Sequence, residues 1–72
     1  MIYKLKVLGY DYPVRLNLAL IPIIYIDKID INKYQVCIMG VLGDANFHKH
    51  FYTIDARENR SFVEFMGGEV EE

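Results

Sequence analysis

The sequence has few of the features that stabilise a small domain from outside its core. It contains one cysteine, Cys37, so no disulfide can form within its 72 residues. A chain of this length also has a limited capacity to bury apolar surface. A lone cysteine is more typical of a reducing compartment than of a secreted scaffold. We therefore expect a domain that depends on its core, in the cytoplasm.

Long apolar runs are scarce as well. The longest run, Leu18–Ile26, spans nine residues and contains Pro22, whereas a membrane-spanning helix needs about 20 residues. Near the start, Lys4 and Lys6 lead into a Gly-Tyr-Asp-Tyr-Pro segment rather than into the apolar stretch of a signal peptide. We expect neither a spanning segment nor a secretory leader.

Basic residues are missing from the last twelve positions. Residues 61–72 contain four acids and no base, whereas residues 1–60 hold all eight lysines and arginines and six acids. The body is therefore mildly basic, and the acidic end sets the net charge of −2. We expect one domain over residues 1–68 and an acidic, flexible tail over residues 69–72.

What the chain does have is apolar surface. Hydrophobic residues make up 53% of it and aromatic residues 14%, a composition that excludes an intrinsically disordered chain. A domain this small has little interior in which to bury so much apolar surface. We therefore expect some of it to face a partner protein or a second copy, and we predict a homo-oligomer.

Alternating residues predict a hairpin at the start. Tyr3, Leu5 and Val7 alternate with lysines, and a second alternation runs from Val14 to Leu20. Pairing Val7 with Val14 places apolar residues opposite apolar residues, with the basic residues together on the other face. Residues 9–13 have the composition of the connecting turn.

Three further strands are predicted from their β-branched and aromatic residues: Ile23–Ile26, Tyr34–Leu42 and Phe47–Ile54. Residues 28–33 are interpreted as a bulge or turn, and residues 43–46 as a short loop. Pairing Leu42 with Phe47 would place Cys37, His48 and His50 on one face. Because both faces of this pair are largely apolar, we expect protein to cover each of them.

The period changes after residue 54. Phe62, Val63, Phe65 and Met66 have the spacing of a helical stripe. Asp55 and Glu58 have the spacing of a capping box, and Gly67-Gly68 would end the helix. A sixth strand over residues 61–66 is the alternative that we favour less. The predicted fold is mainly β, with a small curled antiparallel sheet or barrel of about five strands and one short C-terminal helix.

Two histidines form the most suggestive chemical feature. On a strand, His48 and His50 would point to the same face, and Cys37 would lie near them, which makes the pair a candidate metal site. Gly43, His48, His50 and Asp55 also resemble the first metal-binding motif of cupins. The second motif of that family is absent and the chain is too short for its barrel, so the resemblance implies no function here. Histidines that face solvent or a partner are the favoured interpretation.

A ribonuclease-like enzyme is a related hypothesis. His48, His50, Arg57 and Glu58 are the residue types that such enzymes use to carry protons and to hold phosphate. Their spacing does not require that role, and a chain of this size encloses little space for an active site. We predict no enzymatic activity and no cofactor.

The first hairpin carries a candidate nucleic-acid site. Lys4, Lys6 and Arg15 form a small basic face, and Tyr10 and Tyr12 lie in the turn. Cations beside aromatic rings are what single-strand binders use for phosphates and bases. The competing interpretation is an exposed face whose lysines keep a sheet edge soluble.

The leading functional hypothesis is a small non-enzymatic interaction protein: a regulator, an inhibitor or an accessory subunit. Phe62, Phe65 and Met66 are candidate interface residues because aromatic residues and methionine are enriched in interface cores, although the same residues could dock the terminal helix. A nucleic-acid-binding β-barrel is the first alternative, and a metal-dependent or ribonuclease-like enzyme is the second. The compact size would suit a phage or another mobile element.

Overall fold

The computed structural model describes residues 2–21, 23–42 and 46–71, apart from the side chains of residues 41, 42 and 46–48. Within these ranges the chain forms five strands and one helix, and the strands make two antiparallel sheets that do not close into a barrel. The elements are β1 (Ile2–Leu5), β2 (Val14–Asn17), β3 (Ile23–Asp30), β4 (Lys33–Leu42), β5 (Asn46–Asp55) and α1 (Arg60–Phe65). The predicted mainly-β class with one short C-terminal helix is confirmed. No helix in the described ranges is long and apolar enough to cross a membrane.

The first hairpin has the predicted faces but not the predicted register. Leu5 pairs with Val14, and Tyr3 with Leu16, so the register is shifted by two residues from the predicted one. The reason is that Val7 does not pair with β2 but forms an antiparallel bridge with Ile54 of β5. The chain between the two sheets therefore curls from one sheet to the other, while the side-chain alternation, which has a period of two, keeps the same residues inside.

The second strand is shorter than the alternation predicted. It ends at Asn17, whose side-chain oxygen accepts a hydrogen bond from the Ala19 N–H at 3.1 Å. Such a turn competes with the strand ladder. Leu20, which was expected on the inner face, is consequently exposed.

The three-stranded sheet has the order β3-β4-β5, with an irregular register between Lys28 and Asp30 that matches the predicted bulge. The predicted pairing of β4 with β5 is wrong by one residue, because Leu42 pairs with Asn46 and Cys37 with Phe51. A one-residue slip moves the side chains of one strand to the other face. The positions predicted for the loop lie partly outside the described residues, at 43–45.

The core lies between the inner face of this sheet, the first hairpin and α1. Its largest fully buried side chains include Leu5, Val36, Ile54 and Phe62. Tyr3 packs edge-on against Phe62, with ring centroids 5.4 Å apart. No described element covers the other face of the sheet, so the expectation of protein on both faces holds within this chain only for the inner face.

The helix is stopped as predicted but starts later. The Gly68 N–H donates to the Val63 carbonyl at 2.8 Å and Gly67 adopts φ +84°, which is the Schellman arrangement that glycine favours. The predicted capping box is wrong, because Asn59 is the N-cap residue. The Asp55 carboxylate instead accepts the Arg57 N–H at 2.9 Å and so closes a turn before the helix.

A buried asparagine, Asn59, joins the curled segment to the helix start. Its side-chain oxygen accepts the Lys6 N–H at 2.8 Å, and its amide nitrogen donates to the Lys6 and Asp55 carbonyls at 3.0 and 2.9 Å. These backbone groups would otherwise lose their partners away from water. The asparagine therefore supplies the hydrogen bonds that allow the chain to leave β1.

We predict that Asn59→Ala lowers the free energy of unfolding by about 2–4 kcal/mol, because several buried backbone groups lose their partners at once. Asn17→Ala is the matched control: it removes an exposed turn contact and should cost about 0.5–1 kcal/mol. Urea denaturation of both variants measures the difference. Equal costs would contradict the role given to Asn59.

Candidate interaction surface

The outer face of the three-stranded sheet is an apolar surface that no described element covers. Cross-strand pairing arranges its side chains in three rows. The middle row is Tyr25-Cys37-Phe51, and one neighbouring row is Ile23-Met39-Lys49. The other neighbouring row, Asp27-Gln35-Thr53, is polar. We call these nine residues the outer face.

The apolar side chains of the outer face are accessible although they lie on a regular sheet. Ile23 exposes 41% of its surface, Tyr25 38% and Phe51 48%. Cys37, between the last two, is only 1% exposed. Large side chains thus shield a small one at the centre, and their own outer sides remain in water.

Two local interactions involve side chains of the outer face. Hydrogen bonding to Cys37 raises the pKa of Tyr25 above its usual value, with burial as the second cause. The Lys49 ammonium lies 5.6 Å from the centre of the Phe51 ring, a cation–π contact. The aromatic side chains of the face therefore have neighbours on the adjoining positions.

The charged residues of the outer face lie at opposite corners. Asp27 is on β3 at one end of the grid, and Lys49 is on β5 at the other end. The remaining members of the face carry no formal charge, so the surface is neutral as a whole. One negative and one positive corner give it a direction.

Cys37 does not join the candidate metal ligands His48 and His50, which both lie on β5. His50 lies opposite Ile38 on the inner side of the sheet plane, while Cys37 belongs to the outer face. The placement of Cys37 beside His50 is therefore wrong, because of the one-residue slip. No group of three or more metal-ligating side chains occurs among the described residues. The side chain of His48 lies outside that description.

His50 instead belongs to a small aromatic group. Its ring centre is 4.5 Å from that of Tyr52, and Tyr10 meets Tyr52 edge-on at 5.8 Å. Burial, followed by the neighbouring Tyr10, raises the pKa of Tyr52. The turn residue Tyr10 therefore lies beside β5. The other turn tyrosine, Tyr12, is 82% exposed.

Two of the candidate ribonuclease residues, Arg57 and Glu58, lie in the turn before the helix. The Arg57 guanidinium binds the Asp55 carboxylate at 3.3 Å, and this contact lowers the pKa of Asp55. Glu58 is exposed in the same turn. The arrangement stabilises the turn, and neither Arg57 nor Glu58 contacts His50.

The basic face of the first hairpin is present. Lys4 and Arg15 are cross-strand partners, and both are exposed, as is Lys6. Among the described residues, no carboxylate pairs with these three side chains. Like charges opposite each other destabilise a strand pair, so the arrangement has a cost that an anionic ligand would offset.

The three candidate interface residues of the helix region differ in exposure. Phe62 is buried in the core, and Met66 is half-buried. Phe65 is 55% exposed and lies 5.6 Å from the ring of Tyr3. The helix thus docks through Phe62, and Phe65 marks the border of that contact.

Sequence reasoning did not single out the residues of the outer face. Ile23, Tyr25 and Phe51 were assigned to strands, but the slip in pairing placed Phe51 with Ile38 on one covered face. The signal was the four charged or polar residues that share this face with them (Asp27, Gln35, Thr53 and Lys49), because fully covered sheet faces rarely carry lysine or aspartate.

Comparison with protein-family models, with curated proteins and with solved structures finds no match for this chain.

We predict that Phe51→Ala makes the Cys37 thiol react faster with a disulfide reagent, because it uncovers the sulfur from one side. Tyr12→Ala, which truncates an aromatic residue far along the chain, is the control and should leave the rate unchanged. A time course of thiol labelling in the folded protein measures both. An unchanged rate in Phe51→Ala would show that Phe51 does not cover Cys37.

Proposed function

We propose that this chain is a small non-enzymatic interaction protein that associates with a second copy of itself through the outer face. The observation that carries the proposal is the exposure of Ile23, Tyr25 and Phe51 on a regular sheet that no described element covers. Apolar patches of this kind mark interaction sites in soluble proteins. A sheet face is also a natural partner for another sheet face.

Charge is the reason to choose a second copy as the partner. A two-fold axis that passes over Cys37, at right angles to the line from Asp27 to Lys49, places each aspartate against the lysine of the other copy. The strands of the two sheets then cross steeply, near the orthogonal class of sheet packing. An isologous contact of this kind is self-complementary, as a closed dimer requires.

The size of the face sets the strength of the dimer. Eight residues of β3 and three strands give a face of roughly 26 by 14 Å from standard strand spacings. That is about half of the ~800 Å² per partner found in stable complexes. We therefore expect a dimer that forms reversibly, with a dissociation constant in the micromolar range or weaker.

Light scattering over a concentration series tests the proposal. The mass of the native chain should rise towards that of a dimer as concentration increases. Phe51→Lys should abolish the rise, because it places a charge in the apolar centre of the contact. Tyr12→Lys is the matched control: it makes the same kind of change at a more exposed aromatic residue off the face, and should leave the rise intact.

Two results would contradict this function. One is a native chain that stays a monomer at all concentrations. The other is a dimer that survives Phe51→Lys but is lost in Tyr12→Lys, which would move the contact to the first hairpin.

A second candidate function is the binding of single-stranded nucleic acid. It is supported by the basic side chains of the first hairpin, which form no ion pair with a described carboxylate. Lys4 and Arg15 are held opposite each other without a carboxylate among the described residues. The rings of Tyr10, Tyr52 and His50 contact one another and offer surfaces on which nucleobases can stack. The mild charge of the body makes this the weaker candidate.

Anisotropy of a labelled single-stranded oligonucleotide tests it. If Lys4, Lys6 and Arg15 each contact a phosphate, a plot of the logarithm of the association constant against the logarithm of the salt concentration should have a slope of about −2. Lys4→Glu with Lys6→Glu should abolish binding. Lys33→Glu with Lys49→Glu, which changes the net charge equally elsewhere, should weaken it much less. Absent or salt-insensitive binding excludes this function.

A further inference from the structure

The acidic segment, residues 69–71, is held by side chains that act on its backbone. The Glu69 N–H donates to the Tyr34 hydroxyl at 2.8 Å, and that hydroxyl lies 3.0 Å from the Glu69 carbonyl, to which it donates. The Glu71 N–H donates to the Asn32 side-chain oxygen at 2.8 Å, and the Asn32 amide donates back to the Glu71 carbonyl at 2.6 Å. The N–H and C=O groups of Glu69 and Glu71 are thus bound by the side chains of Tyr34 on β4 and of Asn32 in the turn between β3 and β4.

Both side chains are also held by contacts outside the segment. Tyr34 belongs to the buried core cluster. Asn32 adopts φ +52°, and its own carbonyl accepts the Ala56 N–H at 2.8 Å. Side chains that are held by the core or by a turn lose less conformational entropy on binding than free ones, which favours recognition.

The segment enters the site through a close backbone approach. A Cβ atom on Gly68 would lie 2.8 Å from Val63, 2.9 Å from Ile26 and 3.2 Å from Tyr34. Val70 then packs against the edge of the core. Glu71 reaches Lys28 at 3.5 Å, but both side chains are largely exposed, so this pair adds little.

We propose that Asn32 and Tyr34 form a binding site for an extended peptide, which residues 69–71 occupy within the chain itself. The site reads the N–H and C=O groups of two alternate residues and accepts an apolar side chain between them. Because the polar contacts are made to backbone, the site accepts any extended segment with an apolar residue in the middle position.

Occupation from within the chain keeps the site closed to other peptides. The acidic segment follows the helix directly, so its effective concentration at the site is of the order of millimolar or higher. A free peptide with the same contacts competes only when the chain's own segment is weakened. The site is therefore expected to open to a partner peptide when residues 69–71 are displaced.

The test uses the full chain with Glu69→Pro and Glu71→Pro, which remove the two N–H donors without touching the site. The probe is a labelled peptide with the sequence of residues 67–72, Gly-Gly-Glu-Val-Glu-Glu. We expect saturable binding to the double-proline variant, at least tenfold tighter than to the native chain. A peptide with proline at the same two positions should not bind.

Tyr34→Phe in the double-proline chain is the matched control, because it removes the hydroxyl and keeps the buried ring. It should weaken peptide binding severalfold, in proportion to the loss of two hydrogen bonds. The single variant Glu71→Pro tests the Asn32 half alone if the double variant does not fold.

Three results would overturn the proposal. The first is no saturable binding to a folded proline variant. The second is equal binding to the native chain, and the third is equal binding after Tyr34→Phe. Unfolding of both proline variants would also overturn it, since the acidic segment would then be an inseparable part of the core.

Discussion

The structure depends on a few buried amide groups that bind backbone where strands cannot. Asn59 supplies hydrogen-bond partners for the backbone N–H and C=O of Lys6, at the point where the chain leaves β1 and crosses to β5. Asn32 lies at the same end of the larger sheet; its side chain binds the backbone of Glu71, and its own carbonyl accepts the Ala56 N–H. Since an unpartnered buried peptide group costs about as much as a lost hydrogen bond, such departures from regular pairing require these side chains. Asn59 in this way stabilises the crossing between the two sheets.

This arrangement explains why one face of the larger sheet is closed and the other open. The first hairpin and α1 curl over the inner face, where they bury Val36, Ile54 and Phe62. The chain then has no further described element with which to cover Tyr25 and Phe51. A chain of 72 residues is short for the number of apolar residues that it carries. Its elements cover one face of the larger sheet and leave apolar residues exposed on the other. Part of the surplus lies on the outer face, where Ile23, Tyr25 and Phe51 are exposed together.

Much of this could be predicted from the sequence, and the failures have a common cause. Period-two alternation predicted which residues of the first hairpin lie inside, and Gly67 predicted the helix end, because both are local properties. The pairing of Cys37 with Phe51 is not local: it depends on a loop whose length differs by one residue between two plausible registers. That single slip misplaced His50 and concealed the outer face. Asn59 was missed because its three partners are set by tertiary structure.

The central claim is that the outer face is the working surface of this protein. Methyl spectra of the chain over a concentration series test it most directly, because they report on each side of the sheet in one experiment. The account predicts that signals of Ile23 and Met39 shift as the concentration rises, whereas those of Leu5 and Val36 in the core do not move. Spectra that do not depend on concentration, or shifts confined to the first hairpin, would contradict it.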